Sequence, residues 1–170
     1  MSGFSWNDGI TSSATFGYDA ASRLTSINNA NATISRSYYN DNLMYTEAED
    51  LTAIGGVART LSYAYDADGN WATLNIPGFT FTYDYTNRNQ LKDVISGNAT
   101  LASYAYDLRG NVTTRTLNNN TYSAYSYDVY DRVWLLHHYL NGTTRTIQYG
   151  YDDPSNNRLW GFGFRIRIAF

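Results

Sequence analysis

The sequence predicts an all-β fold of repeated antiparallel hairpins, on three observations. Tyrosine supplies 17 of 170 residues and threonine 19, and both suit a pleated, half-buried strand. Asn, Asp and Gly supply 18, 13 and 13, the residues that build tight turns. Only two Glu (Glu47, Glu49) and one Lys (Lys92) occur; a chain so poor in these helix formers is not a helical bundle or coiled coil. The hydrophobic share of 43% is too high for compositional disorder.

An internal repeat organises these residues. The pattern aromatic-x-Tyr-Asp recurs at Phe16–Asp19, Tyr63–Asp66, Phe81–Asp84, Tyr104–Asp107, Tyr125–Asp128 and Tyr149–Asp152. Ser37-Tyr38-Tyr39-Asn40 reads as a degenerate copy. With Asn40 standing in for Asp, the intervals are 21, 26, 18, 23, 21 and 24 residues. The pattern divides the chain into residues 1–15, a partial strand or linker, residues 16–160, seven repeats, and residues 161–170, a strand-like tail.

Each part of the unit has a physical reason. Ahead of the Asp, Leu61, Tyr63 and Tyr65 share one face while Ser62 and Ala64 share the other, the period of a strand. The face opposite the motif is small in every copy: Gly17, Ala64, Thr82, Ala105, Ser126 and Gly150. The Asp opens a type I turn, where its carboxylate accepts backbone N–H bonds from two residues on. Three residues later come Gly69 and Gly110, or Ser22, Asn87 and Asp131, where a left-handed residue closes a short bulged hairpin. Arg23, Arg88 and Arg132, or Asn70 and Asn111, come next. An apolar residue then begins the return strand: Leu24, Trp71, Val112 and Val133. Leu91 arrives two residues late, and Arg158-Leu159 follows a two-residue insertion around Pro154. The far ends carry their own turns at Ser96-Gly97-Asn98, Asn118–Asn120 and Asn141-Gly142, the last a strong hairpin signal.

Tyr-Asp-x-x-Gly-Arg-Leu at this spacing resembles the YD repeats of Rhs proteins, which also occur in the shell-forming subunits of insecticidal toxin complexes and in teneurins. The signature residues are Tyr18, Asp19 and Arg23; Tyr39; Tyr65, Asp66 and Gly69; Tyr83, Asp84 and Arg88; Tyr106, Asp107 and Gly110; Tyr127, Asp128 and Arg132; and Tyr151, Asp152 and Arg158. The resemblance implies that the hairpins form a continuous curved sheet, a segment of shell wall. It implies a structural role, enclosing or presenting a toxin or effector domain, with no chemistry of its own. Such shells contain many more than seven repeats, so the expectation is a segment of a larger protein. Asp153-Pro154 lies inside a repeat and lacks the Gly and Asp residues of the block that ends the family's core, so the self-cleavage of some relatives is not carried over. Expected partners are neighbouring repeats or other shell segments, the enclosed domain, and further copies of the chain through open strand edges. In the resemblance's setting the protein is secreted or displayed on a cell surface.

Other functions are weighed on particular residues. There is no cysteine, which removes disulfides, thiolate metal sites and cysteine nucleophiles. A net charge of −3 without a basic stripe gives no footprint for nucleic acid. Residues 1–8 lack the features of a signal peptide, and no apolar run reaches the ~18 residues of a spanning helix. The tail from Phe162 to Phe170 alternates like the last strand of an outer-membrane barrel, but the repeat already accounts for the interior strands. His137 and His138 are adjacent on a strand, point to opposite faces and cannot share a metal. Asp66-Ala67-Asp68-Gly69-Asn70 imitates the start of a calcium loop, but the later ligands and the closing Glu are missing. The six motif aspartates are expected to hold turns rather than act as the paired acids of a glycosidase, so no enzyme activity, cofactor or metal is expected. The tyrosines, with Trp6, Trp71, Trp134 and Trp160, either interlock between strands or stack glycans as a surface-repeat module; alternation favours interlocking. The repeat arginines are expected to pair with neighbouring aspartates.

Overall fold

A computed structural model describes the backbone of residues 2–4, 13–140, 142–151, 158–159 and 165–167, and side chains within 13–140 and 142–151. Among the described residues everything regular is antiparallel β, apart from one 3-10 turn at Thr52–Ile54. The strands are β1 (Ser2–Phe4), β2 (Ala14–Tyr18), β3 (Leu24–Asn28), β4 (Thr33–Tyr38), β5 (Met44–Asp50), β6 (Ala58–Tyr65), β7 (Trp71–Ile76), β8 (Phe79–Tyr85), β9 (Leu91–Ser96), β10 (Ala99–Tyr106), β11 (Val112–Leu117), β12 (Tyr122–Tyr127), β13 (Val133–Leu140), β14 (Thr143–Gln148), β15 (Gly150–Tyr151), β16 (Arg158–Leu159) and β17 (Arg165–Arg167). The chain divides into two compact units, residues 1–82 and 83–170.

In the first unit, β1 to β7 and residues 79–82 of β8 pair strictly in sequence order. In the second, β9 to β14 do the same, β17 adds to β14, and β15 pairs with β16. The described part of the tail is therefore an added strand. The far-end turns fall between strands as their residues predict, with positive φ at Gly97, Asn120 and Gly142, and Gly78 adds another between β7 and β8.

One irregularity recurs at the same place in five hairpins. Pairing slips between Gly17 and Tyr18, Ser37 and Tyr38, Ala64 and Tyr65, Ala105 and Tyr106, and Ser126 and Tyr127. Each slip leaves one residue of the return strand unopposed: Thr25, Tyr45, Ala72, Thr113 or Trp134. This is a β-bulge, which locally increases the twist and re-aims the strand. At one copy the small residue of the opposite face has a visible neighbour. A Cβ built on Gly17 would collide with the Oγ of Ser26, its pairing partner.

Among the described residues neither unit shows an enclosed interior of its own. Among the described residues only Ala102, Thr121 and Ser123 are buried, and no large side chain is fully so. Cross-strand pairs and repeat-to-repeat contacts must therefore supply the stability that a core supplies elsewhere.

Candidate functional site: the coupled turns

The Asp carboxylate closes its own turn. One oxygen of Asp19 accepts the N–H groups of Ala21 and Arg23, each at 2.9 Å. Asp66, Asp107 and Asp128 take the same pair of bonds, two and four residues on. The second oxygen takes the side chain four residues on: Arg23 Nε at 2.7 Å, Asn70 Nδ2 at 3.0 Å, Asn111 Nδ2 at 3.1 Å and Arg132 Nε at 2.7 Å. The residue before that partner closes the turn with φ of 63° at Ser22, 83° at Gly69, 96° at Gly110 and 60° at Asp131.

These bonds hold the carboxyls below their ordinary value of 3.8. At Asp19 and Asp107 the N–H four residues on is the first cause. At Asp66 it is the Asn70 amide. At Asp128 partial burial pushes upward, and the Arg132 N–H and guanidinium overcome it.

The motif Tyr couples one repeat to the one before. Hydroxyls of Tyr38, Tyr106, Tyr127 and Tyr151 donate to the carbonyls of Leu24, Leu91, Val112 and Val133 at 2.7–2.8 Å. Each acceptor is the apolar residue that opens the preceding return strand. Where the turn carries Arg, its guanidinium covers the same ring, Arg23 over Tyr38 at 4.8 Å and Arg132 over Tyr151 at 4.3 Å. In these two copies the motif forms a relay: Asp orients Arg, and Arg and the next carbonyl hold the following Tyr.

Turns also clasp one another. Arg23 Nη1 reaches the carbonyl of Tyr39 at 2.9 Å and Asn42 Oδ1 at 3.0 Å. Arg88 donates to the carbonyls of Asp107 and Leu108, and Gln90 to that of Gly110. Arg109 and Asn111 both reach Asp131 Oδ1, at 3.0 and 2.9 Å. Arg23 and Arg132 each pair with the aspartate of their own turn, and Arg23 reaches the next turn through a carbonyl and an amide rather than through the neighbouring aspartate that the sequence predicts. A cross-turn ion pair is made by Arg109, outside the motif.

Two copies sit in a different register from the sequence pattern. The turn between β8 and β9 opens at Thr86, whose N–H bonds the Gln90 carbonyl and whose carbonyl accepts Asn89 N–H. Thr86 Oγ1 takes the N–H groups of Arg88 and Gln90, so Tyr85 and Thr86 replace Tyr83 and Asp84, and Arg88 is a tip residue. Leu91 then falls on schedule. In the degenerate copy Tyr39 itself opens the turn, bonding Leu43 and Asn42, and Tyr38 is the motif tyrosine. Tyr39 instead donates to the Tyr63 carbonyl at 3.0 Å and packs on Tyr45 and Tyr65. The turns open at Asp19, Tyr39, Asp66, Thr86, Asp107 and Asp128, at spacings of 20, 27, 20, 21 and 21 residues. The long interval holds the 3-10 turn between β5 and β6. Asp152 and the side chain of Arg158 lie outside the described residues.

The remaining candidates are placed as follows. His137 Nδ1 meets Thr146 Oγ1 at 2.9 Å and His138 Nδ1 meets Ser123 Oγ at 2.8 Å, on opposite faces of β13. Asp66 spends its oxygens on Asp68 and Asn70. Among the described residues no group of three His, Asp or Glu side chains could hold a metal ion. No helix of the described residues is long and apolar enough to cross a membrane. Several aromatics interlock, Tyr63 with Trp71 at 5.9 Å and Tyr122 with Tyr139 at 5.1 Å.

No protein-family model matches the chain, and no curated protein matches it in sequence. Solved structures do. A crystal structure of TcdB2-TccC3-Cdc42 superposes with a TM-score of 0.70 at 16% identity, covering 83% of this chain and 9% of that one. TcdB2-TccC3 without its hypervariable C-terminal region and TcdB2-TccC3 itself each give 0.69 at 16% identity, over 83% of this chain and 8% and 9% of theirs. This chain thus spans under a tenth of the length of the chains it matches. It has the fold of the matched stretch of these toxin-complex chains, all-β and antiparallel, which is the fold that the resemblance to YD-repeat proteins implies.

Proposed function

We propose that the chain is a wall segment of an Rhs-type shell, non-enzymatic, which encloses or presents a toxin or effector domain. The relay from Asp through Arg to the next repeat's Tyr carries this reading. It uses the described motif residues of these turns to join hairpins to one another. Containment needs a wall whose neighbours are coupled along its length, and repeat-to-repeat interfaces supply that coupling. The lowered carboxyls of Asp19, Asp66, Asp107 and Asp128 also suit turn-holding, since a general acid needs its pKa raised. A surface-repeat module that binds glycans is the second reading, favoured by the exposure of Trp71 at 44% and Tyr122 at 40%.

Two measurements on the full chain separate them. A wall segment associates through its strand edges, so sedimentation shows concentration-dependent assembly, and tryptophan fluorescence shows no saturable response to sugars. A stable monomer with saturable quenching by a glycan overturns the wall reading. An activity lost on changing one turn Asp to Asn, with the others harmless, would make the chain an enzyme.

A further inference from the structure

One position of the repeat carries a charge that the wall does not need. The residue opposite the first aromatic of the motif is apolar in three hairpins: Ile27 faces Phe16, Leu74 faces Tyr63 and Leu136 faces Tyr125. In a fourth, Glu47 faces Arg36 and forms a 2.6 Å ion pair with it. In the fifth, Arg115 faces Tyr104, and no described carboxylate answers its charge. Its Nε is buried and has no hydrogen-bond partner. An unmet buried donor costs about 1–3 kcal/mol, more when charged, so folding alone gives no reason to keep it.

The neighbours depart from the repeat in the same direction. Ser123 pairs with Arg115 across β11 and β12; the equivalent positions hold Ala14, Ile34, Leu61, Ala102 and Ile147. Ser123 is only 3% exposed, and its Oγ meets Nδ1 of His138, its partner on β13. Arg115, Ser123 and His138 line a cavity of about 80 Å³ together with Leu117, Thr121 and Leu140. At ~30 Å³ per water, that space holds two or three waters or one small oxyanion.

From this cluster the structure assigns an oxyanion site, for a phosphate group or a carboxylate. Arg115 Nε–H donates to one oxygen. When His138 Nδ1–H donates to Ser123 Oγ, the serine hydroxyl is free to donate to a second. Guanidinium with a hydroxyl beside it is the donor set that planar or tetrahedral oxyanions take. The site goes beyond a wall's needs and does not depend on the wall reading: it gives the sheet one place able to grip a charged group.

Thermal melts of the full chain test it, with sodium phosphate or sodium acetate titrated against sodium chloride at fixed ionic strength. Phosphate, acetate or both raise the melting temperature saturably, and whichever acts names the class. Arg115→Leu restores the residue of the sister hairpins, so it melts higher than the native chain without added anion and no longer responds. Arg115→Lys keeps the charge without the Nε donor and raises the half-saturating concentration about tenfold. Absence of any saturable response in the native chain overturns the site. So does an Arg115→Leu variant that is destabilised or still responds.

Discussion

The guanidinium of Arg132 lies 4.3 Å from the centre of the Tyr151 ring, one repeat further along the chain. Its Nε is held at 2.7 Å by Asp128, and the ring's hydroxyl donates to the Val133 carbonyl at 2.7 Å. Arg132→Ala removes the ion pair and the ring contact together. A loss of about 1–2 kcal/mol is expected, since both partners of the pair are partly shielded from water. A double-mutant cycle with Tyr151→Leu should show coupling of about 0.5–1 kcal/mol. Strict additivity in denaturant melts would remove the cross-repeat role.

Tyr127→Phe deletes only the hydroxyl that reaches Val112 at 2.8 Å. The expected cost is about 0.5–1.5 kcal/mol, the net worth of one such bond. Tyr125→Phe, two residues earlier on the same face, is the control. Equal effects at the two positions would show that the hydroxyl latch contributes nothing specific.

The shifted turn makes a gain-of-stability test. Thr86 occupies the turn-opening position with weak bonds of 3.3 Å to the N–H groups of Arg88 and Gln90. Thr86→Asp supplies a carboxylate there and should stabilise by about 0.5–1 kcal/mol. Asp84→Asn, outside the turn, should leave chemical denaturation within about 0.5 kcal/mol of the native chain. A large loss at Asp84 with no gain at Thr86 would restore the sequence register.

Acid should weaken the fold through the same carboxyls. Asp19, Asp66, Asp107 and Asp128 are held below 3.8 in the folded chain, so the unfolded chain takes up protons first as pH falls. Their contribution is complete above the ordinary carboxyl value and disappears as pH drops through the lowered folded values. Melting temperature should therefore hold down to about pH 5 and fall below about pH 4. Asp107→Asn should flatten that fall, and an unchanged melting temperature at about pH 2.5 would contradict the linkage.

The hairpin unit is legible in the sequence because its bonds are local. Asp107 to Asn111 spells a turn whose donors lie two and four residues away, and alternation around Tyr104 and Tyr106 exposes the strand. The shifted copies mislead because Tyr83-Asp84 and Tyr85-Thr86 differ by two residues, which preserves the face and hides the slip. The late Leu91 is the one signal of the true register. Tyr38 and Tyr39 differ by one, so only the bonding shows which of them opens the turn. The relay and the Arg109 clasp escape a linear reading, since their partners stand 14 to 22 residues apart. Arg115 was invisible for a different reason: its oddity exists only relative to Ile27, Leu74 and Leu136, once pairing aligns them.

With only Ala102, Thr121 and Ser123 buried among the described residues, injury to such a sheet has nowhere to spread through. A side chain removed from a packed interior leaves a void that every neighbour feels. Here each hairpin answers mainly to the ones beside it, so a failed clasp unbuttons one seam and the rest stays fastened. A fabric of this kind tolerates mending, lengthening and substitution hairpin by hairpin.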